Sequence, residues 1–186
     1  MQDIDSLPEK QIAGTGRMIT VFKELGIESF QAACEYVHQL PYGYNSDRDD
    51  LTILFKEGKG SCTTKHAVIA TLAAELGLAV VKRIGIYAMT ESIVTGTQAI
   101  LERYGLPYVP MVHCFLAIGD LFVDLTAGNI NGKNRSIDLF LHTEEVIPNI
   151  SAKEEYLRYR AALKALLETR RELGGIKISR PHHIGI

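Results

Sequence analysis

The chain has 186 residues and is 46% hydrophobic, so it can hide roughly 70% of the surface its unfolded form exposes without metal or disulfide staples. With 20 Lys and Arg against 22 Asp and Glu, a formal charge of −2 and a pI near 6.3, it offers no uniform field to hold nucleic acid or anionic lipid. Three cysteines at unrelated spacings, Cys34, Cys62 and Cys114, argue for free thiols in a reducing compartment, and a cytoplasmic location is expected. The opening MQDIDSLPEK lacks a basic region followed by an apolar one, and no run of about 18 uncharged apolar residues occurs. Neither export nor a membrane span is expected.

Ser6, Pro8 and Glu9 suit the start of a helix, and Ile12, Ile19, Phe22 and Leu25 recur at helical spacing up to Gly26. A second helix is expected from Glu28 to Leu40, carrying Phe30, Ala33, Cys34 and Val37 on one side before Pro41 breaks it. PYGYNSDRDD, from Pro41, is dense in turn formers, and a short apolar segment from Leu51 to Phe55 leads to Gly58 and Gly60. A buried central helix is expected from Cys62 to Leu76, closed by Gly77. Leu78 to Ala88 reads as a strand, Glu91 to Tyr104 as a helical excursion ending at Gly105 and Pro107. MVHCFLAI and LFVDLT, joined by Gly119-Asp120, read as a hairpin. A further strand is expected between Ile137 and Val146. Ser151 with Glu154 forms a capping box for a last helix, about 151–173, whose Tyr156, Tyr159, Leu163, Leu166 and Leu173 cover one side of the sheet. No repeat or composition shift marks a boundary, so 1–186 is read as one α+β domain.

Chemistry concentrates at Cys62. A thiol in the first turn of a helix faces unpaired backbone N–H groups and the positive end of the helix dipole, both of which favour the thiolate. Gly58 and Gly60 let the backbone approach a substrate closely, and the Cys62 N–H is available to a developing oxyanion. If Gly119 and Asp120 form the turn, Ile118 opposes Leu121, Phe115 opposes Asp124, and His113 shares a face with Asp124 as a diagonal neighbour. A carboxylate on one ring nitrogen fixes the tautomer and aims the other at a nucleophile. His66, one turn beyond Cys62, is a rival base; a structural or substrate-facing role is preferred because its cation would sit near a helix N-terminus with no local carboxylate to orient it. Zinc is disfavoured, since strand alternation sends His113 and Cys114 to opposite faces, and the tail pair His182 and His183 lacks further ligands. No metal and no cofactor is expected.

The segments GKGSCTTKHAVIATLAAELGL, AVVKRIGIYA and VHCFLAIGDLFVDLTAG, in that order, resemble the three successive motifs of the transglutaminase-like superfamily of papain-like cysteine enzymes. The resemblance covers about residues 42–130. It implies an antiparallel sheet packed on a central helix, with helices added at both ends, and it implies Cys62 as nucleophile, His113 as base and Asp124 as the orienting carboxylate. Cys114 and Phe115 follow His113 where family members often carry an aromatic residue. The second oxyanion donor has no unmistakable counterpart; Tyr42, Tyr44 and Asn45 are the candidates. The expected activity is acyl transfer on a peptide or small amide through a thioester, with hydrolysis ahead of amine transfer. An arylamine N-acetyltransferase type and a catalytically idle module that binds a peptide or partner stand as alternatives. Oligomeric state is left open.

Overall fold

The computed structural model describes residues 3–173, so His182, His183 and the tail lie outside the described residues. Six helices, α1 (Arg17–Glu24), α2 (Phe30–Gln39), α3 (Ile53–Glu57), α4 (Cys62–Glu75), α5 (Thr97–Tyr104) and α6 (Ala152–Thr169), accompany four strands. The strands β1 (Val81–Met89), β2 (Val109–Ile118), β3 (Leu121–Val123) and β4 (His142–Val146) form one antiparallel sheet in the order β3-β2-β1-β4. This is a mixed α+β fold. Among the described residues, no helix is long and apolar enough to cross a membrane.

The centre of the fold is α4. Its residues Ala67, Val68, Ile69, Ala70, Leu72 and Ala73 are all buried, so it is enclosed on every side rather than amphipathic. Small alanines let α1, α2 and the sheet approach it together, and Met18, Phe22, Phe30, Cys34 and Leu116 meet it in one core. Gly77 closes the helix at φ 67°, in the left-handed conformation that glycine adopts without penalty.

The opposite face of the sheet is covered by the segment before β4. Phe140 stacks on Phe115 with centroids 4.5 Å apart, and Phe122 lies 4.9 Å from Phe115. Gly85 makes room for this stack, because a Cβ there would stand 2.4 Å from the Phe140 ring.

Several expected boundaries move, each for a visible reason. The N-terminal helix begins only at Arg17; residues before it form a short 3-10 turn at Ile4–Ser6 and a bridge between Gln11 and Ser29. Glu75, the last residue of α4, accepts hydrogen bonds from the Met18 and Ile19 backbone N–H groups, so α1 is capped from across the core. The apolar Leu51–Phe55 segment enters a short helix, α3, at Ile53, with Leu51 and Thr52 in the turn before it. β1 begins at Val81 rather than Leu78. Glu91 does not start α5 but caps it, its carboxylate accepting from the Gly96 and Gln98 N–H groups. β4 is confined to His142–Val146.

The hairpin register is as expected, with Ile118 opposite Leu121 and Leu116 opposite Val123, but the ladder stops there. β2 therefore runs past the end of β3 with one edge open. On α6 the Ser151 hydroxyl accepts the Glu154 N–H as expected, and Leu166 and Leu173 of the anticipated stripe are buried, but Tyr156 is exposed and Glu155 is buried instead.

Candidate active site

Three elements converge at the open edge of β2. The loop from Gly58 delivers the N-terminus of α4, and the turn there is tied down by Thr64, whose hydroxyl accepts the Ser61 N–H at 3.1 Å and donates to Asn45 Oδ1 at 2.7 Å. This fixes Cys62 at the first helical position, half-buried, at the floor of a cleft of about 270 Å³. The cleft walls include Tyr42, Tyr44, Tyr87, Met111 and Lys133.

His113 Nε2 meets Asp124 Oδ2 at 2.7 Å. Asp124 is itself held, because its Oδ1 accepts from the Thr126 backbone N–H at 2.8 Å and the Thr126 hydroxyl at 2.7 Å. With Nε2 engaged, Nδ1 is the nitrogen left for the Cys62 thiol. Cys114 neighbours Cys62 as well, in a small cluster with Ile84, Val146 and Ile150.

The electrostatics follow from these contacts. The Cys114 hydrogen bond, acting against burial and joined by the facing His113 charge, holds the Cys62 thiol well below its ordinary value. Burial opposes a charge on His113, but the Cys62 charge and the Asp124 hydrogen bond outweigh it and push the imidazole up to about 9. Burial likewise opposes ionisation of Asp124, and the His113 hydrogen bond overcomes it, leaving a carboxylate well below the usual range. All three shifts favour the charged forms, downward for Cys62 and Asp124 and upward for His113.

His66 does not serve as that base. It is fully buried, with Nδ1 2.6 Å from the Cys62 carbonyl and Nε2 accepting the Leu125 N–H at 2.9 Å. Both nitrogens are occupied by backbone, so the ring is neutral with its proton on Nδ1, and burial lowers its pKa to about 4. A carboxylate distant in sequence does lie near, since Asp124 Oδ1 is 3.6 Å from Nε2. The ring faces no cleft, so its role is structural rather than substrate-facing. Asn45 is also withdrawn as an oxyanion donor: its amide donates to Glu57 and to the Lys59 carbonyl and its oxygen accepts from Thr64. Tyr44 stands at the rim, 75% exposed. Tyr42 lines the cleft, and burial and the Cys62 charge raise its phenol pKa, keeping the O–H as a donor.

Strand alternation gives His113 and Cys114 separate partners, Asp124 for the one and Thr63 and Glu155 for the other. Among the described residues, no group of three or more His, Cys, Asp or Glu could hold a metal ion.

Sequence reasoning missed a polar network beside the thiol. Glu155 of α6 accepts from Arg48 at 2.5 Å and from Thr63 at 3.1 Å, lies 3.7 Å from the Cys114 sulfur and 3.5 Å from Lys82 Nζ. A Glu in the first turn of a helix reads as a dipole partner, and only the packing of α6 turns it inward. Tyr87 was missed as well; it shares a face with His113 because Gly85 pairs with His113, a register that sequence alone does not supply. No protein-family model, no curated protein and no solved structure matches the chain.

Proposed function

We propose that the chain is a transglutaminase-like, papain-type cysteine enzyme that transfers the acyl group of a peptide or small amide, most simply to water. One observation carries this reading. A half-buried sulfur at a helix start faces an imidazole whose other nitrogen is 2.7 Å from a buried carboxylate, and the sulfur opens into a cleft.

In this reading the Cys62 thiolate attacks the acyl carbonyl. The carbonyl π electrons move to oxygen, where the Cys62 N–H and the Tyr42 hydroxyl stabilise the oxyanion. Collapse of the tetrahedral intermediate breaks the C–N bond, and His113 gives its proton to the departing amine. Neutral His113 then takes a proton from water as that water attacks the thioester, and the thiolate leaves. Asp124 keeps the ring oriented and stabilises its cation through both half-reactions. His66 holds the Cys62 carbonyl and the Leu125 N–H, and so fixes α4 against the segment bearing Asp124.

Iodoacetamide labelling of the native protein, read by mass spectrometry, tests the nucleophile. Cys62 labels at neutral pH on the order of tenfold or more faster than an ordinary exposed thiol, and His113→Ala removes the advantage. Labelling no faster than free cysteine, or loss of the advantage in His66→Ala but not in His113→Ala, would overturn the assignment. A panel of peptide, amide and thioester donors, run with and without a primary amine, separates hydrolysis from transfer.

A further inference from the structure

The mechanism above uses one of the two thiols at the edge of β2. Cys114 is 1% exposed and packs with Ile84, Val146 and Ile150 in a small cluster against which Cys62 lies. Its thiol is surrounded by polar groups uncommon around an inert core cysteine. Thr63 Oγ1 and Glu155 Oε2 each lie 3.7 Å from the sulfur, and the fully buried Lys82 ammonium lies 3.5 Å from that same carboxylate oxygen. Lys82 Nζ makes no hydrogen bond within the described residues. The third cysteine, Cys34, shares none of this: it is sealed among aliphatic and aromatic neighbours in the main core.

We propose that Cys62 and Cys114 are a reversible oxidation site, Cys62 being the peroxide-reactive thiolate and Cys114 the thiol that resolves it into an intramolecular disulfide. The inference rests on the reading of Cys62 as an activated thiolate, and it assigns that site a second chemistry.

The steps balance with a hydroperoxide as oxidant. The Cys62 thiolate attacks one peroxide oxygen, the O–O bond breaks, and the departing hydroxide takes the proton of the His113 cation to leave as water. Sulfur is oxidised and peroxide reduced by two electrons. Cys114 then passes its proton toward the Glu155 carboxylate, its sulfur attacks Cys62, the S–O bond breaks, and the hydroxide takes that proton to leave as a second water. The first step arms the second. In the reduced site hydrogen bonding to Cys62, then burial, and to a lesser extent the Cys62 charge raise the Cys114 pKa, and conversion of Cys62 to a neutral sulfenic acid removes that charge while Lys82 continues to favour the Cys114 thiolate. The disulfide blocks the nucleophile before it climbs to the irreversible sulfinic state.

The test treats the full chain with a small excess of hydrogen peroxide, quenches with iodoacetamide, and maps the peptides by mass spectrometry under non-reducing conditions. The expected product is a Cys62–Cys114 cross-linked peptide pair, lighter by two hydrogens, with Cys34 unmodified. Cys62 alkylation should fall by about tenfold or more and return on addition of dithiothreitol. In Cys114→Ser, peroxide should instead carry Cys62 to the sulfinic acid, a gain of two oxygens. If Cys62 alkylates rapidly before treatment yet wild type forms the sulfinic acid with no cross-link, the resolving role of Cys114 is overturned and the nucleophile reading stands. If Cys62 neither alkylates rapidly nor oxidises, both readings are overturned together.

Discussion

At the scale of single residues, the site is governed by which nitrogen, oxygen and sulfur atoms already have partners. His113 has one ring nitrogen on Asp124 and the other left for Cys62, whereas both nitrogens of His66 are spent on backbone groups. Two imidazoles with centroids 6.3 Å apart therefore carry opposite protonation states, one pushed up to about 9 and the other lowered to about 4. A pH dependence follows that separates two assays. Alkylation needs only the thiolate, so its rate rises through the depressed Cys62 pKa and stays level through neutral pH and beyond pH 9. Amide turnover also needs the His113 proton, so it falls as pH rises through about 9, where the imidazolium of the raised group is lost. Parallel pH profiles of iodoacetamide labelling and of hydrolysis, measured on the same preparation, check this. Coincident profiles would place the proton donor elsewhere.

At the scale of elements, the fold depends on carboxylates that cap helices they do not belong to, or lie just outside. Glu91 reaches forward to the start of α5, and Glu75 reaches from the end of α4 to the start of α1. The second bond joins two elements more than fifty residues apart, and Gly16 leaves the space for it, since a Cβ at that position would stand 2.3 Å from the Glu75 carboxylate. Glu75→Ala exposes two backbone donors of α1 and is expected to cost about 1–2 kcal/mol, read as a lower denaturation midpoint in urea with an unchanged slope. Cys62 labelling should stay as in wild type, because Glu75 lies at the far end of α4.

At the scale of the whole molecule, α6 ties the C-terminal part of the described chain to the site. Glu155 gathers Arg48, from the turn before α3, and Lys82, from β1, around Thr63 and Cys114. Lys82 is fully buried and Glu155 is its anionic neighbour, so Glu155→Ala leaves a cation uncompensated in the interior and is expected to destabilise by about 3–5 kcal/mol. Removing both charges with Glu155→Gln and Lys82→Met should recover most of that loss, measured by denaturant unfolding of the two variants side by side. A double variant as unstable as Glu155→Ala would show that the pair does not act as a pair.

The order of the elements was legible from the chain alone, as were the burial of α4, the Gly119-Asp120 turn and the nearness of His113 to Asp124. Each depends on local periodicity, or on a hairpin whose partners lie eleven residues apart. Helix starts were legible where the cap is adjacent, as at Ser151, and illegible where it comes from another element, as at α1. The sequence by itself determined the candidates for the proposed chemistry: a thiol at a helix start, and an imidazole and a carboxylate on one hairpin. Only the tertiary structure decided how they are used, because β3 stops short and frees the edge of β2, Asn45 and His66 are consumed by internal hydrogen bonds, and Glu155 turns inward. Those outcomes depend on which polar atoms remain unpaired after packing, and pairing between distant segments is set by the assembled core.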